Sequence, residues 1–175
     1  MLSSKGGQAA TFHSTLFNKA GRTLEQQSGT IYLQGDAFRL EYGNIVATFS
    51  GKQLTHYNKN EHTLTFSQPD ADDLVQLNPL YFLHSYTEKY RAKKLPESKV
   101  GPLLSFTPLK RGNIKHIELQ LERSRLSPRE IVVLSSDGYR LVIKITQLRQ
   151  IAEREASFFS LKTSEYPGVE VIDLQ

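Results

Sequence analysis

The chain has 175 residues, a formal net charge of +4 and no cysteine. The length suits one domain with a sizeable core, and the missing cysteine excludes disulfides, thiolate chemistry and a lipidated N-terminal cysteine. No apolar run is long enough for a membrane-spanning helix, and the basic residues are mostly mixed with glutamate, which disfavours nucleic-acid binding. We therefore predict a single domain over residues 1–175.

The N-terminal part begins with small and polar residues up to Ala10, which predict little order. These residues lack the apolar stretch of a signal peptide, so a leader is expected upstream of this sequence if the protein is secreted. Alternating residues predict a first strand over 11–17, a turn over 19–22 and a returning strand over 23–33.

Residues 29–66 predict an antiparallel meander. Short runs of alternating apolar and polar residues are separated by turn pairs such as Gly35-Asp36 and Gly43-Asn44. This alternation is typical of strands with one apolar face. Because that face must be buried, another part of the chain is expected to cover it.

Two helices are predicted after the meander. Asp70 is a favourable N-cap, and Asp73 in the first turn favours a helix over residues 71–77. Asn78 and the proline after it end this helix and predict a second one over residues 79–89, which is apolar around most of its circumference. Such a helix is either a core helix or a lid that contacts the sheet on one side and a ligand on the other.

The remaining residues return to strands. Strands are predicted from residue 90 and over 103–107, 117–121, 130–135 and 141–145, with a polar connection over 149–156, and Phe158-Phe159 and residues 169–172 end the sheet. The predicted fold class is mainly β with a few helices. It is a curled antiparallel sheet, or half-open barrel, of about 10–11 strands with a helical lid on its concave face.

Patterns for catalysis and metal binding are weak. His56 and His62 flank one hairpin without a carboxylate at ligand spacing, and the aspartates after residue 69 lack the glycine and glutamate of a calcium loop. No nucleophile elbow or phosphate-binding glycine-rich loop occurs. We expect no metal, no cofactor and no enzymatic activity; an enzyme with scattered catalytic residues is the less favoured alternative.

Several motifs resemble the outer-membrane lipoprotein carrier family, LolA. They are GDAFRLEY at 35–42, FSGKQLTHYNK at 49–59, DADDLVQLNPLYFLHSY at 70–86, LLSFTP at 103–108, SFFSL at 157–161 and YPGVEVIDL at 166–174. Their order and spacing cover nearly the whole chain, as in a divergent member. At most the end of the family's N-terminal helix would be present.

The resemblance implies a periplasmic carrier and chaperone that binds the acyl chains of lipoproteins in a hydrophobic cavity and shuttles them from the inner to the outer membrane. The implied partners are an acylated lipoprotein or lipid, an inner-membrane lipoprotein-releasing transporter and an outer-membrane acceptor. Two alternatives remain: a periplasmic binder of another lipid or glycolipid with the same fold, and a non-catalytic structural or interaction domain with a filled core.

Strand alternation and the resemblance together predict the lipid-binding residues. They are Phe38, Leu40, Phe49, Leu54, Leu64, Phe66 and Phe106 from the sheet, and Leu80, Phe82 and Leu83 from the helix. The family carries an arginine before the turn that precedes the phenylalanine, and that arginine is thought to tie the lid to the sheet. Gln34 holds this lid-latch position here and donates hydrogen bonds without a charge.

Overall fold

Strands make up most of the protein in the computed structural model, which describes residues 6–84 and 86–175, apart from the side chains of Leu83 and His84. The strands are β1 (Gly7–Phe17), β2 (Thr23–Gln34), β3 (Ala37–Tyr42), β4 (Ile45–Phe49), β5 (Leu54–Asn58), β6 (Thr63–Ser67), β7 (Tyr90–Leu95), β8 (Leu103–Pro108), β9 (Ile114–Leu121), β10 (Pro128–Ser135), β11 (Arg140–Ile151) and β12 (Glu170–Asp173). The helical elements are α1 (Ala71–Leu77), α2 (Tyr86–Lys89) and three 3₁₀ segments, Pro79–His84, Ala156–Phe159 and Thr163–Glu165.

The strands follow one hydrogen-bonded order, β12-β6-β5-β4-β3-β2-β1-β11-β10-β9-β8-β7. In the part of the chain that the structure describes, the end strands β12 and β7 each pair with one neighbour, so the sheet is open. The predicted mainly β fold, an open antiparallel sheet with a few helices, is confirmed. It has 12 strands rather than 10–11, and one strand pair, β12 with β6, is parallel.

The predicted meander is confirmed, because β2 to β6 pair in sequence order. Two of its turns place glycine in the left-handed region, Gly35 with φ 56° and Gly43 with φ 51°. This conformation is costly for residues with a side chain, so glycine fixes where these strands end.

The chain divides into two compact units. The first contains Ser28–Pro69, Gln147–Gln175 and the described residues up to Phe12, and the second contains His13–Gln27 and Asp70–Thr146. The meander therefore belongs to the first unit, and the helices with β7 to β10 belong to the second. The single domain over residues 1–175 stays a prediction.

The second predicted helix is divided into two elements, the 3₁₀ segment Pro79–His84 and α2. The Tyr81 amide donates to the Asn78 carbonyl at 2.8 Å, an i→i+3 bond that closes a tighter turn than an α-helix. The Asn78 side chain also accepts from the Leu80 amide at 3.2 Å, which favours a cap over a continued helix. The helix α1 is as predicted, Ala71–Leu77.

The C-terminal predictions need correction. β11 extends to Ile151 into the predicted polar connection, and Phe158-Phe159 lie in a 3₁₀ segment rather than in a strand. β12 runs parallel to β6, with Val171 opposite Leu64. A parallel partner needs a crossover, and the irregular residues between β11 and β12 provide it.

Candidate functional site

The first unit has an apolar sheet side, here called the Phe38 face. Phe38 lies opposite Leu33 and Phe49, and the Phe38 and Phe49 ring centroids are 5.7 Å apart. Directly opposed residues share a face. The buried members of this face are Ile31, Leu33, Phe38, Leu40, Ala47 and Phe49, and half-buried Leu54 continues it. Four predicted lipid-binding residues, Phe38, Leu40, Phe49 and Leu54, therefore lie together.

The parity predicted for β6 is wrong. Leu64 lies opposite Tyr57, and Phe66 lies opposite Thr55. Followed across β5 and β4 to β3, the residues in line with Leu64 and Phe66 are the ones that alternate with Phe38 along β3. Leu64 and Phe66 therefore lie on the opposite side of the sheet from Phe38. The β5–β6 connection sets this register, and a shift of one residue moves every side chain of a strand to the opposite face.

That other side, here called the Arg39 face, is covered by residues 152–169, the C-terminal strap. The Phe158 ring meets Tyr32 edge-on with centroids 5.1 Å apart, and the Arg39 guanidinium lies 4.9 Å from the Phe158 ring centroid. Arg39 Nη1 donates to the Phe158 carbonyl at 3.3 Å, and the Arg154 guanidinium lies 5.2 Å from the same ring. Two cations therefore contact one aromatic ring: Arg39 of β3 holds the strap on the sheet, whereas Arg154 packs on the ring within the strap.

Buried residues occur both in this strap and on the Arg39 face. Phe159 and Leu161 are buried, as are Thr48, Thr55 and Leu64 on the strands. The burial of these strap residues was not predicted from the sequence, and the Phe158-Phe159 pair was assigned to the sheet. The available signal was the group of apolar residues over 157–161 within an otherwise polar stretch.

Gln34 bonds to the strap. Its Nε2 donates to the Arg154 carbonyl at 2.9 Å, and its Oε1 accepts from the Arg154 amide at 2.8 Å. The side-chain amide thereby reproduces the pair of hydrogen bonds that a neighbouring strand would supply. A lid-latch role for Gln34 stays a prediction.

The far end of the strap packs on β5. Tyr57 and Tyr166 have ring centroids 4.1 Å apart, and burial raises the pKa of Tyr166. The Pro167 carbonyl lies 3.2 Å from His62 Nε2, and the Tyr57 hydroxyl lies 3.3 Å from His62 Nδ1. Because a carbonyl only accepts, His62 Nε2 is the donor in its contact with Pro167.

In the second unit, α1, the 3₁₀ segment after it and α2 form a helical cover. The fully buried Phe82 meets Phe106 and Tyr90 with ring centroids 4.8 and 5.8 Å away, and Tyr86 meets Phe106 at 5.6 Å. This aromatic cluster contains two predicted lipid-binding residues. A third, Leu80, is buried in the 3₁₀ segment, and the Leu83 side chain lies outside the described residues.

Few polar contacts hold this cover. The predicted N-cap Asp70 forms a capping box with Asp73, and Asp72 Oδ2 accepts from the Asn113 amide at 2.9 Å. Burial, and then the charge of Asp72, raise the pKa of Tyr90 to about 12. The cover is therefore joined to the β8–β9 turn by this charged hydrogen bond and by a backbone bond in which the Leu109 amide donates to the Lys89 carbonyl at 2.9 Å.

One aromatic side chain of each apolar set is fully buried in this conformation. Phe38 and Phe82 are each 0% exposed. His56, on the Phe38 face opposite Ala47, is partly buried, and burial lowers its pKa although the charge of Glu61 acts in the opposite direction. An acyl chain that enters either set must therefore displace side chains that now fill it.

An open groove of about 420 Å³ runs along β2 to β5 and includes Thr30, Glu41, Tyr57 and Lys59. None of the ten predicted lipid-binding residues lines it. Among residues 6–84 and 86–175, no histidine and carboxylate cluster is placed to hold a metal. Those residues also include no helix with the length and apolarity that crossing a bilayer requires.

Comparison with known families gives a match over residues 4–162 to the family described as outer membrane lipoprotein carrier protein LolA. The chain belongs to the LolA family. No curated protein matches the sequence.

Two solved structures show the same fold as this LolA family member. An uncharacterized conserved protein from Thermus thermophilus is 15% identical with a TM-score of 0.59, covering 97% of this chain and 91% of that one. A LolA superfamily protein from Nitrosomonas europaea is 8% identical with a TM-score of 0.52, covering 91% and 92%. Identities this low show the fold alone.

Proposed function

We propose that this protein is a carrier that binds the acyl chains of lipoproteins and shuttles them between the inner and outer membranes. The observation that carries the proposal is the LolA family match over residues 4–162. The buried aromatic residues of the Phe38 face and of the helical cover support it, because they are apolar surfaces suited to acyl chains.

The energetics explain why such a carrier closes when empty. Each methylene exposed to water costs about 0.8 kcal/mol of transfer free energy. Exposing one long acyl chain outside a protein or bilayer therefore costs on the order of 10 kcal/mol. If the empty protein fills its own apolar faces, an acyl chain replaces contacts that already exist. The net affinity is then moderate, and the cargo is released to an acceptor.

The proposal includes location and partners. We place the protein in the periplasm, with an inner-membrane lipoprotein-releasing transporter as donor and an outer-membrane acceptor as recipient, because those are the roles that the family implies. The process is binding and transfer without a covalent step, so no catalytic residue is assigned.

The test has two parts. Native mass spectrometry of protein purified from a bacterial periplasm should show a co-purified acylated species. Delipidated protein should then bind saturated fatty acids of 6 to 16 carbons with an affinity that rises roughly fourfold per added methylene. No bound lipid together with an affinity independent of chain length would overturn the proposal and favour a filled structural core.

A second candidate, a carrier of another lipid or glycolipid, is favoured by Gln34. The LolA pattern has an arginine at this position, whereas the Gln34 amide is uncharged and both of its polar groups bond to Arg154. Mass analysis of the co-purified species separates the candidates: an acylated peptide supports the lipoprotein, and a peptide-free lipid supports the alternative.

A further inference from the structure

Positive charge is concentrated in one part of the second unit. Residues 86–115 contain eight basic residues and two acidic ones, a net charge of +6, whereas the whole chain carries +4. The basic residues are Lys89, Arg91, Lys93, Lys94, Lys99, Lys110, Arg111 and Lys115. The rest of the chain is therefore slightly acidic, and the excess positive charge lies on α2, β7, the loops on either side of β8 and the start of β9.

These charges lie at a sheet edge. β7 is an end strand, and its Arg91, Lys93 and Lys94 side chains are exposed. Of the eight basic residues, only Lys94 forms an ion pair within the described chain, with Glu97 at 3.2 Å. Exposed cations on an edge strand oppose pairing with another strand, so this edge is a poor site for strand addition.

Exposed apolar side chains lie at both ends of the basic edge. At one end, Leu109 is 56% and Tyr86 37% exposed, and the Leu109 amide donates to the Lys89 carbonyl at 2.9 Å. At the other end, Val100 is 49% exposed in the β7–β8 loop. That loop is held in place because Gln120 Nε2 donates to the Gly101 carbonyl at 3.0 Å.

We propose that this surface, called the basic edge, docks on an anionic lipid bilayer. Exposed cations attract anionic head groups, and apolar side chains at the two ends enter the boundary between head groups and acyl chains. Nucleic acid is disfavoured because Tyr86 is the one exposed aromatic residue that the described part of the edge offers for stacking. The inference concerns a different surface from the acyl-chain site and does not depend on the proposed cargo.

The first test measures co-sedimentation of the full chain with vesicles of phosphatidylcholine, with or without phosphatidylglycerol. Binding should require the anionic lipid and weaken steeply with salt. A cation near an anionic surface contributes about 1 kcal/mol, roughly fivefold in affinity, so R91Q/K93Q should bind about 25-fold more weakly. The control R22Q/K52Q removes the same charge from exposed positions elsewhere and should change binding less than threefold.

The second test separates insertion from simple charge attraction. Leu109→Ser should weaken vesicle binding about tenfold, whereas Leu24→Ser, at a residue 51% exposed, should not change it. Circular dichroism and melting curves establish that each variant is folded. Equal losses in both charge variants, no effect of Leu109→Ser, or tighter binding to a single-stranded oligonucleotide than to anionic vesicles would each overturn the proposal.

Discussion

The helical cover and the C-terminal strap both close apolar surfaces, but different forces hold them. In the second unit, Phe82 and Phe106 hold the cover through ring contacts, with one charged hydrogen bond from Asn113 to Asp72 and one backbone bond from Leu109 to Lys89. In the first unit, the strap is held through the Gln34 amide, and Arg39 bonds to its backbone. Hydrogen bonds to backbone depend on exact geometry, whereas apolar contacts are replaced readily by other apolar groups.

The difference indicates which element yields to a ligand. An acyl chain supplies the same kind of contact that holds the helical cover, so displacing the cover costs little net free energy. It supplies no hydrogen bond to replace those of Gln34, so the strap is expected to stay in place during loading. Four experiments test this comparison.

The largest effect should follow Phe38→Ala. Phe38 is 0% exposed, and removing a buried phenylalanine costs about 3–5 kcal/mol in unfolding free energy. Phe82→Ala should cost less globally, because a weakly held cover detaches locally instead. Urea denaturation measures the first effect, and hydrogen exchange over residues 71–89 measures the second. Equal global losses, with unchanged exchange in the cover, would contradict the comparison.

The next test locks the helical cover and the strap in turn through introduced cysteine pairs. The chain has no cysteine of its own that would interfere. An oxidised Asp72→Cys/Asn113→Cys pair should lower long-chain fatty-acid affinity about a hundredfold, or roughly 2.7 kcal/mol, and reduction should restore it. In the matched Gln34→Cys/Arg154→Cys variant, a short bifunctional maleimide crosslink locks the strap, because the Gln34 side chain spans a distance too long for a direct disulfide, and binding should stay within threefold. Loss of binding only with the locked strap would make the strap the moving element.

Changes at Gln34 should be smaller. Gln34→Ala removes two hydrogen bonds to Arg154 and should lower stability by about 1 kcal/mol, while fatty-acid affinity changes less than tenfold. Gln34→Glu keeps an acceptor for the Arg154 amide but sets an oxygen against the Arg154 carbonyl, so it should not rescue stability. Chemical denaturation and ligand titration check both variants. A greater loss of affinity would make Gln34 a lid or ligand anchor.

The smallest effect concerns pH. Burial lowers the pKa of His56 below its usual 6.5, so the unfolded chain binds this proton more readily than the folded one. Its contribution to stability is therefore present above the unfolded pKa and is lost as pH falls from about 6.5 through the folded value. Urea midpoints at pH 7.5 and 5.0 should differ less in His56→Gln than in the unsubstituted protein. An unchanged difference would show that His56 does not contribute.

The sequence predicted well those features that local chemistry decides. Gly35 and Gly43 sit at turns with positive φ, and Asp70 caps α1, so the bounds of β3 and of α1 were close to the observed ones. Phe38 and Leu40 were placed together for the same reason, because alternation within one strand depends only on that strand.

Features that depend on distant partners were not predicted. The β5–β6 register moved Leu64 and Phe66 to the Arg39 face, and no pattern within β6 reveals that shift. Phe158-Phe159 were predicted to form a strand because the local sequence does not show their partners. Those partners, Tyr32 and Arg39, are more than 100 residues away in the chain. Tertiary contacts of this kind outweigh local propensity.

The parallel pairing of β12 with β6 has a consequence for biosynthesis. The first unit combines the meander, Ser28–Pro69, with the much later residues Gln147–Gln175. The strap that covers the Arg39 face and the strand β12 that pairs with β6 both leave the ribosome long after Leu64, so this unit is complete only once β12 has been made. Before that point the growing chain presents an open strand edge at β6 and an uncovered apolar face, the features that chaperones recognise and that favour aggregation.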